Sequence, residues 1–384
     1  MFNFVYVGSN CFPYGLATTQ RQLLICKGII EAGSSCAVLC RFGTNKRSTK
    51  INKISTFENI KYIYAAPLYY RHNNFLIRNI NRCLGLFFEL IYIIKLKKHN
   101  QRNILLSVRT SFLNTIFYFI ISRLLGYTYL IDINELHSFK KQASLIKKYN
   151  HYLFDNYSNY LCDGIISISS MITNFYSSKI KKTPIVQIPV ITDIERIMSI
   201  KPINLGYDFI LYCASAAYYE TASFILQAYS NGNYNFKMVF ILNGSKNQID
   251  KVINASIKLN IQKNLTILSN LDYNELIGHY KGAKALVVPL PETFDHMARF
   301  PHKIGEYCAS KRPIITNSYG EIKTYFSSSN SIIADNYSIN EFSKLFQIVN
   351  DNSYNPEITQ KAFELAQQMF SYKNVFNKLQ ILIK

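Results

Sequence analysis

The sequence predicts an α/β protein of two domains, each a parallel sheet covered by helices, and three observations carry that expectation. Strand-length apolar runs alternate with helix-length amphipathic stretches along the 384 residues. The alternation falls into two halves of similar length, each long enough to bury its own core. The composition, 48% hydrophobic and 17% charged, is that of a folded chain. Two Rossmann-like domains with parallel sheets facing a central cleft satisfy all three.

In chain order, "FNFVYVG" (2–8) reads as the first core strand. The turn "SNCFPYG" and a helix over 16–33 follow, the helix stopping at Gly33 as a C-cap. Further strands are expected at 35–43, 59–67, 103–109, 128–134, 164–170 and 183–190. The second half gives strands at 207–215, 236–244, 264–270, 284–290 and 312–317, then two closing helices within 354–384. Short strand-to-helix connections mean parallel strands. "ITDIERIMSIKPINLG", with Pro202 and Gly206, marks the junction. The domains are therefore expected at 1–195 and 196–384, the final helix free to pack back on the first.

The opening "MFNFVYVGSN" has no basic leader, so a signal peptide is not expected. The apolar stretches 83–96 and 111–126 contain Glu89 in one and Asn114 and Ser122 in the other. Both are shorter than the roughly 20 residues of a membrane span, and read as buried or interfacial helices. Eight cysteines lie scattered without a CxxC pair, which suits a reducing cytosol and argues against a thiolate zinc site.

The net charge of +20 is uneven. Between Arg41 and Arg102 thirteen Lys and Arg face two acids, Glu58 and Glu89, so over half the excess lies in one sixth of the chain. The expected helix 77–100 joins a Phe/Leu/Ile body to Arg78, Arg82, Lys95, Lys97 and Lys98 at its ends. That pairing suits an anionic membrane surface. No helix-turn-helix, zinc-finger or RNP-type signature accompanies it, so nucleic acid is not an expected partner.

Ligands of such sheets lie beyond the carboxyl ends of the strands. The loops to inspect are 8–15, 132–140, 214–220, 243–246 (opening with Asn243), 270–273 (with Leu271), 291–303 and 317–321. The richest is "RFPHKIGEYCASKRPIITNSYGEI", Arg299 to Ile322, after the buried strand "ALVVPL". Pro301 at the first helical position opens a helix whose free N–H groups form an anion site. Lys303, with Arg299, Phe300 and His302 beside it, adds positive charge, and Glu306 a turn on can accept hydrogen bonds from vicinal hydroxyls. Cations first and a carboxylate next is the arrangement a ribose diphosphate needs.

These residues resemble the donor-site segment of GT-B-fold glycosyltransferases of the family 4 type, in the branch with an R-F-P-x-K-x-x-E-Y pattern. The resemblance extends over most of the chain. "FPYGLATTQRQLLICKGIIEAGSSCAVLC" is similar to the family's opening segment, "YLIDINELHSF" to its D-x-H-E element, and "VQIPVITDIERI" to the run ending the first domain. It implies a nucleotide diphosphate sugar as donor and co-substrate, with retention of anomeric configuration. Glu306 then matches the second acid of the family's E-x7-E motif, which binds ribose hydroxyls. The first acid's position holds Ala298, and Glu292 and Asp295 do not align to it. Lys303 and Arg299 would neutralise the diphosphate. The phosphate loop "ASAAYYETA" lacks the family's Gly and Lys, leaving Ser215, backbone amides and Gly320 as substitutes. In D-x-H-E, Asn134 replaces His, so Glu135 or His137 would serve at the reacting centre beside Lys303. Gly15 and Arg21 would line the cleft, with Arg21 and Asn134 on the acceptor side.

The expected function is sugar transfer from a nucleotide diphosphate sugar to a lipid-linked or growing surface glycan. The enzyme would be cytoplasmic and peripheral at the inner face of the cell membrane. No D-x-D is present, so no metal is expected. A nucleotide-sugar epimerase of the same fold and a non-catalytic binding partner are the alternatives.

Overall fold

The computed structural model describes residues 1–15, 17–42, 52–70, 72–108, 111–136, 144–179 and 183–383. The chain forms two compact units: Met1–Ile191 with Tyr372–Lys384, and Thr192–Ser371. The division between Ile191 and Thr192 lies just ahead of the expected junction at 195, and the last thirteen residues belong to the first unit.

The first unit begins with β1 (Phe2–Asn10), α1 (Ala17–Glu31), β2 (Ser35–Phe42), β3 (Ile54–Phe57) and β4 (Ile60–Tyr64). It continues through α2 (Phe75–Leu96), β5 (Arg102–Ser107), α3 (Phe112–Leu125) and β6 (Thr128–Ile133). The last elements before the junction are α4 (Leu145–Tyr157), β7 (Gly164–Ser167), α5 (Ser170–Ser177) and β8 (Ile185–Gln187). They build one eight-stranded sheet, order β3-β4-β2-β1-β5-β6-β7-β8, parallel except for β3 against β4. Phe4, Val5, Tyr6 and Val7 of β1 are all buried, the mark of a central strand covered on both faces. Helix α1 and the returning segment Tyr372–Ile383 share one core, in which Phe376 meets Phe2 and Phe4 at ring distances of 6.0 and 6.5 Å.

Strand β3 was not anticipated. "ISTF" is short and mostly exposed, an edge strand whose pairing supplies order that its own pattern does not. The basic stretch also needs correction. Arg41 is buried, pairs with Glu89 of α2, and donates to Asn114 Oδ1 (2.7 Å) and to the Tyr118 hydroxyl (2.9 Å) of α3. It is internal glue, not surface charge. Lys46, Arg47, Lys50 and Arg71 lie outside the described residues. Among the described residues no helix is long and apolar enough to cross a membrane.

The second unit contains α6 (Ile194–Ser199), β9 (Phe209–Ser215), α7 (Tyr219–Ser230), β10 (Lys237–Asn243), α8 (Lys246–Lys258), β11 (Leu265–Leu268) and α9 (Tyr273–Gly282). Then come β12 (Ala285–Val287), α10 (Phe294–Met297), α11 (Lys303–Ala309), β13 (Ile314–Asn317), α12 (Ile322–Tyr325), β14 (Ile332–Ala334), α13 (Ile339–Asn350) and α14 (Glu357–Leu365). The sheet is fully parallel, order β11-β10-β9-β12-β13-β14. Three-residue β14 was too short to read from "IIA". The closing segment is more broken than two helices: α14 loosens into a π turn over Ala366–Phe370, and α15 (Val375–Leu379) starts after Ser371.

Candidate active site

In the second sheet the strand order reverses between β9 and β12: successive strands run outward from β9 to β11 on one side and from β12 to β14 on the other. The loops after these two strands part there, leaving the crevice where open parallel sheets take their ligands. The sequence puts "CASAAYY" at the end of β9 and in the loop beyond it, and "RFPHKIGE" after β12.

The two segments meet. Lys303, first residue of α11, donates from Nζ to the carbonyl of Cys213 at the end of β9 and lies 5.0 Å from the Tyr212 ring centroid. Arg299 donates from Nη2 to the Tyr218 hydroxyl at 2.7 Å, its guanidinium over that ring at 5.4 Å. One cation is thereby drawn to the end of β9 and the other to the loop beyond it; Ser215, the strand's last residue, accepts the N–H of Ala217 at its Oγ at 3.3 Å. A lysine thus reaches the end of β9 from the segment after β12.

Glu306 follows one helical turn after Lys303 and is 9% exposed. Burial pushes its carboxyl up to about 7, while the Tyr273 hydroxyl and then the Lys303 and Arg196 charges hold it down. Burial likewise lowers the Lys303 pKa, against the opposing effects of Cys213 and Glu306. Tyr273 opens α9 and is capped on its other face by Arg196, 4.3 Å from the ring centroid. The result is a cation and a carboxylate, each pressed toward neutrality by a dry setting, so each gains by meeting a charged or hydrogen-bonding ligand.

The expected helix start is displaced. Helix α11 spans Lys303–Ala309, and Pro301 lies ahead of it, its carbonyl accepting the Ile304 N–H at 3.0 Å. Pro301 closes a turn here. The Phe300 side chain is buried and stacks on Tyr325 at 5.3 Å and 9°. His302 is half-buried beside it. Ala298 is buried, and Glu292 is committed to the N–H of Tyr337 (2.8 Å), so neither restores the missing first acid. Gly320 has φ +54°, and a Cβ there would stand 3.1 Å from the His296 carbonyl oxygen and the Met297 Cα. The glycine is required by that backbone approach. Asn243, at the end of β10, accepts the Asn270 N–H at 2.9 Å, which joins two loop ends beside half-buried Leu271.

In the first unit Arg21 does not line a cleft. It is 2% exposed; its guanidinium binds both Asp132 oxygens at 3.0–3.3 Å and the carbonyls of Pro189 and Ile188 at 2.7 and 2.9 Å. Tyr6 (3.0 Å) and Asn134 (3.4 Å) donate to the same carboxylate. The arginine clamps β6 to the segment that follows β8. Asn134 is half-buried, with an Oδ1 that finds no hydrogen-bond partner among the described residues. Glu135 is half-buried too, and His137 lies outside the described residues. Gly15 is required by packing: a Cβ would overlap the Thr19 side chain at 1.8 Å.

Tyr218, Tyr273 and Arg196 were not singled out from the sequence. Tyr218 stood in an inspected loop, but its partner is 81 residues away and nothing local announces the pairing.

Residues 193–365 match the family model described as Glycosyl transferases group 1. The match covers most of the second unit and all of the crevice just described. Three solved structures are similar over nearly the full length of both chains. Sucrose-phosphate synthase from Thermosynechococcus elongatus aligns with a TM-score of 0.75 at 13% identity, covering 100% of this chain and 98% of that one. A glycosyltransferase from Rickettsia africae gives 0.70 at 14%, covering 99% and 98%. HepE from Anabaena, in complex with UDP and glucose, gives 0.70 at 8%, covering 99% of each. At such identities the likeness establishes the fold, and the fold is GT-B. No curated protein matches the chain. Family match and fold together support nucleotide-sugar glycosyl transfer.

Proposed function

We propose that the chain is a glycosyltransferase that takes a sugar from a nucleotide diphosphate sugar and delivers it to a lipid-linked or growing surface glycan. One observation carries the reading: at the switch point of the second sheet, Lys303 and Arg299 converge on the end of β9 and the loop beyond it while Glu306 stands one turn away. The diphosphate lies against the two cations and the ribose hydroxyls donate to Glu306. That HepE binds UDP and glucose on the same fold supports a uridine or related nucleotide as donor.

In the reaction the bond from the anomeric carbon to the diphosphate breaks and a bond to an acceptor hydroxyl forms. The acceptor's proton passes to the departing phosphate oxygen, and anomeric configuration is retained. Charge builds on that phosphate, so preorganised cations give the main assistance and no metal is needed. The site stands on the inner side of the cell membrane, where a lipid-linked acceptor is presented.

A thermal-shift panel of UDP-, GDP-, ADP- and CMP-sugars tests the reading, because a ligand bound to the native state raises the midpoint. One nucleotide class should raise it in the wild type and fail to do so in Glu306→Ala and Lys303→Ala. An equal rise in all three proteins overturns the site. Turnover of donor without any acceptor, into an epimer, favours the epimerase alternative.

A further inference from the structure

We infer that the first unit docks on an anionic lipid bilayer through the outer faces of α2, α3 and α4, with the start of α4 entering the interface. The inference rests on the membrane reading above for its biological sense, but its evidence is separate from the donor site.

The three helices lie on one face of the first sheet. Each leads from a strand toward β8, and right-handed crossovers put such helices on the same side, opposite α1. They touch: Arg41 binds Glu89 of α2 and Asn114 and Tyr118 of α3, and Phe112 of α3 meets Tyr157 of α4 at a ring distance of 6.4 Å.

Their outer surface is unusually apolar. Leu145 and Ile146 open α4 with 84% and 83% of their area in solvent, and Leu113 and Leu124 of α3 show 73% and 79%. Phe75, Leu76, Ile80 and Phe87 on α2 and Tyr149 and Tyr152 on α4 are exposed as well. Single exposed apolar residues need no explanation, but a run of them over three adjoining helices marks an interaction surface.

The charges decide what occupies it. The three helices contain two acids, Glu89 and Asp155, and both are fully buried. Outward charge is therefore positive: Arg82 and Lys95 on α2, Lys98 just beyond it, Lys147 and Lys148 on α4. Arg123 of α3 is paired with Asp163. A second copy of this face would bring like charges together, and nucleic acid offers nothing to the leucines between the cations. Anionic headgroups over an acyl boundary satisfy both, with Tyr149 and Tyr152 at the headgroup level where tyrosines concentrate. The sequence had suggested the basic region before residue 102; the structure adds α4, whose Leu-Ile-Lys-Lys-Tyr start combines the most exposed apolar pair with two lysines.

Flotation of the full chain with phosphatidylglycerol/phosphatidylcholine vesicles, without any sugar, tests this. The wild type should float with them and stay behind with pure phosphatidylcholine. Lys147→Gln/Lys148→Gln should weaken partitioning roughly thirtyfold, at about fivefold per lysine near the surface. Leu145→Ser/Ile146→Ser should weaken it at least tenfold, and Lys251→Gln/Lys258→Gln on α8 should leave it unchanged. Donor-induced thermal shifts should persist in every variant, which shows each to be folded and separates failure here from failure of the transferase reading. No flotation of the wild type, flotation indifferent to the α4 changes, or a stable dimer that does not float overturns the proposal.

Discussion

Each unit sets a cation near a buried acid beside its sheet, and the two arrangements differ sharply. In the first, Arg21 exhausts its guanidinium on Asp132 and two carbonyls, and the carboxylate is bonded again by Tyr6 and Asn134. In the second, Lys303 donates to a carbonyl, Glu306 is bonded by the Tyr273 hydroxyl, and burial still raises its carboxyl to about 7. Partners locked on each other make a clamp; partners that each turn to a different group leave room for a ligand between them. Charge type alone does not distinguish the two, but the choice of hydrogen-bond partner does.

Four changes break or sharpen that contrast. The largest effect should come from Arg21→Ala, which leaves Asp132 buried and unpaired and should cost about 3–5 kcal/mol of stability in urea unfolding. A loss below 1 kcal/mol would mean that the clamp is not structural. Second, Glu306→Ala should weaken donor binding by about two orders of magnitude, as two hydrogen bonds to a charged group are lost at about 1.5 kcal/mol each, measured by calorimetry. Stability should move the other way. Because the folded carboxyl is raised from 4.5 to about 7, ionised Glu306 opposes folding. Its favourable contribution is complete below pH 4.5 and is lost as pH rises to 7, so Glu306→Gln should match or exceed the wild-type Tm above pH 7.

Third, the same group gives binding a pH dependence. The ribose needs the ionised carboxylate, so donor affinity should fall by up to tenfold per pH unit below about 7 and level off above it. Glu306→Gln should bind weakly with no such slope; an unchanged slope assigns the titration to another group. The smallest effect belongs to Tyr218→Phe, which frees Arg299 from its 2.7 Å partner. Donor affinity should drop about three- to tenfold, in keeping with one hydrogen bond of about 0.5–1.5 kcal/mol.

Much of this architecture was legible beforehand because parallel strands buried on both faces leave continuous apolar runs, as "FNFVYVG" and "FKMVFILNG" do. Glu306 and Lys303 stood out for a related reason: core packing does not ask for charged residues at the start of the helix that follows such a strand. What stayed hidden depended on distance along the chain. Arg21 looked like a cleft residue until Asp132, 111 residues on, was seen to hold it. Arg41 counted as surface charge until Glu89 met it inside. The antiparallel strand β3 gains its order from β4 rather than from its own pattern.

The central claim is tested most directly by a crystal structure of the protein with its nucleotide diphosphate sugar bound. The account predicts the ribose hydroxyls within hydrogen-bonding distance of Glu306 and the diphosphate oxygens within reach of Lys303 and Arg299. A nucleotide bound elsewhere, with Lys303 still on the Cys213 carbonyl and Glu306 facing only Tyr273, would contradict it.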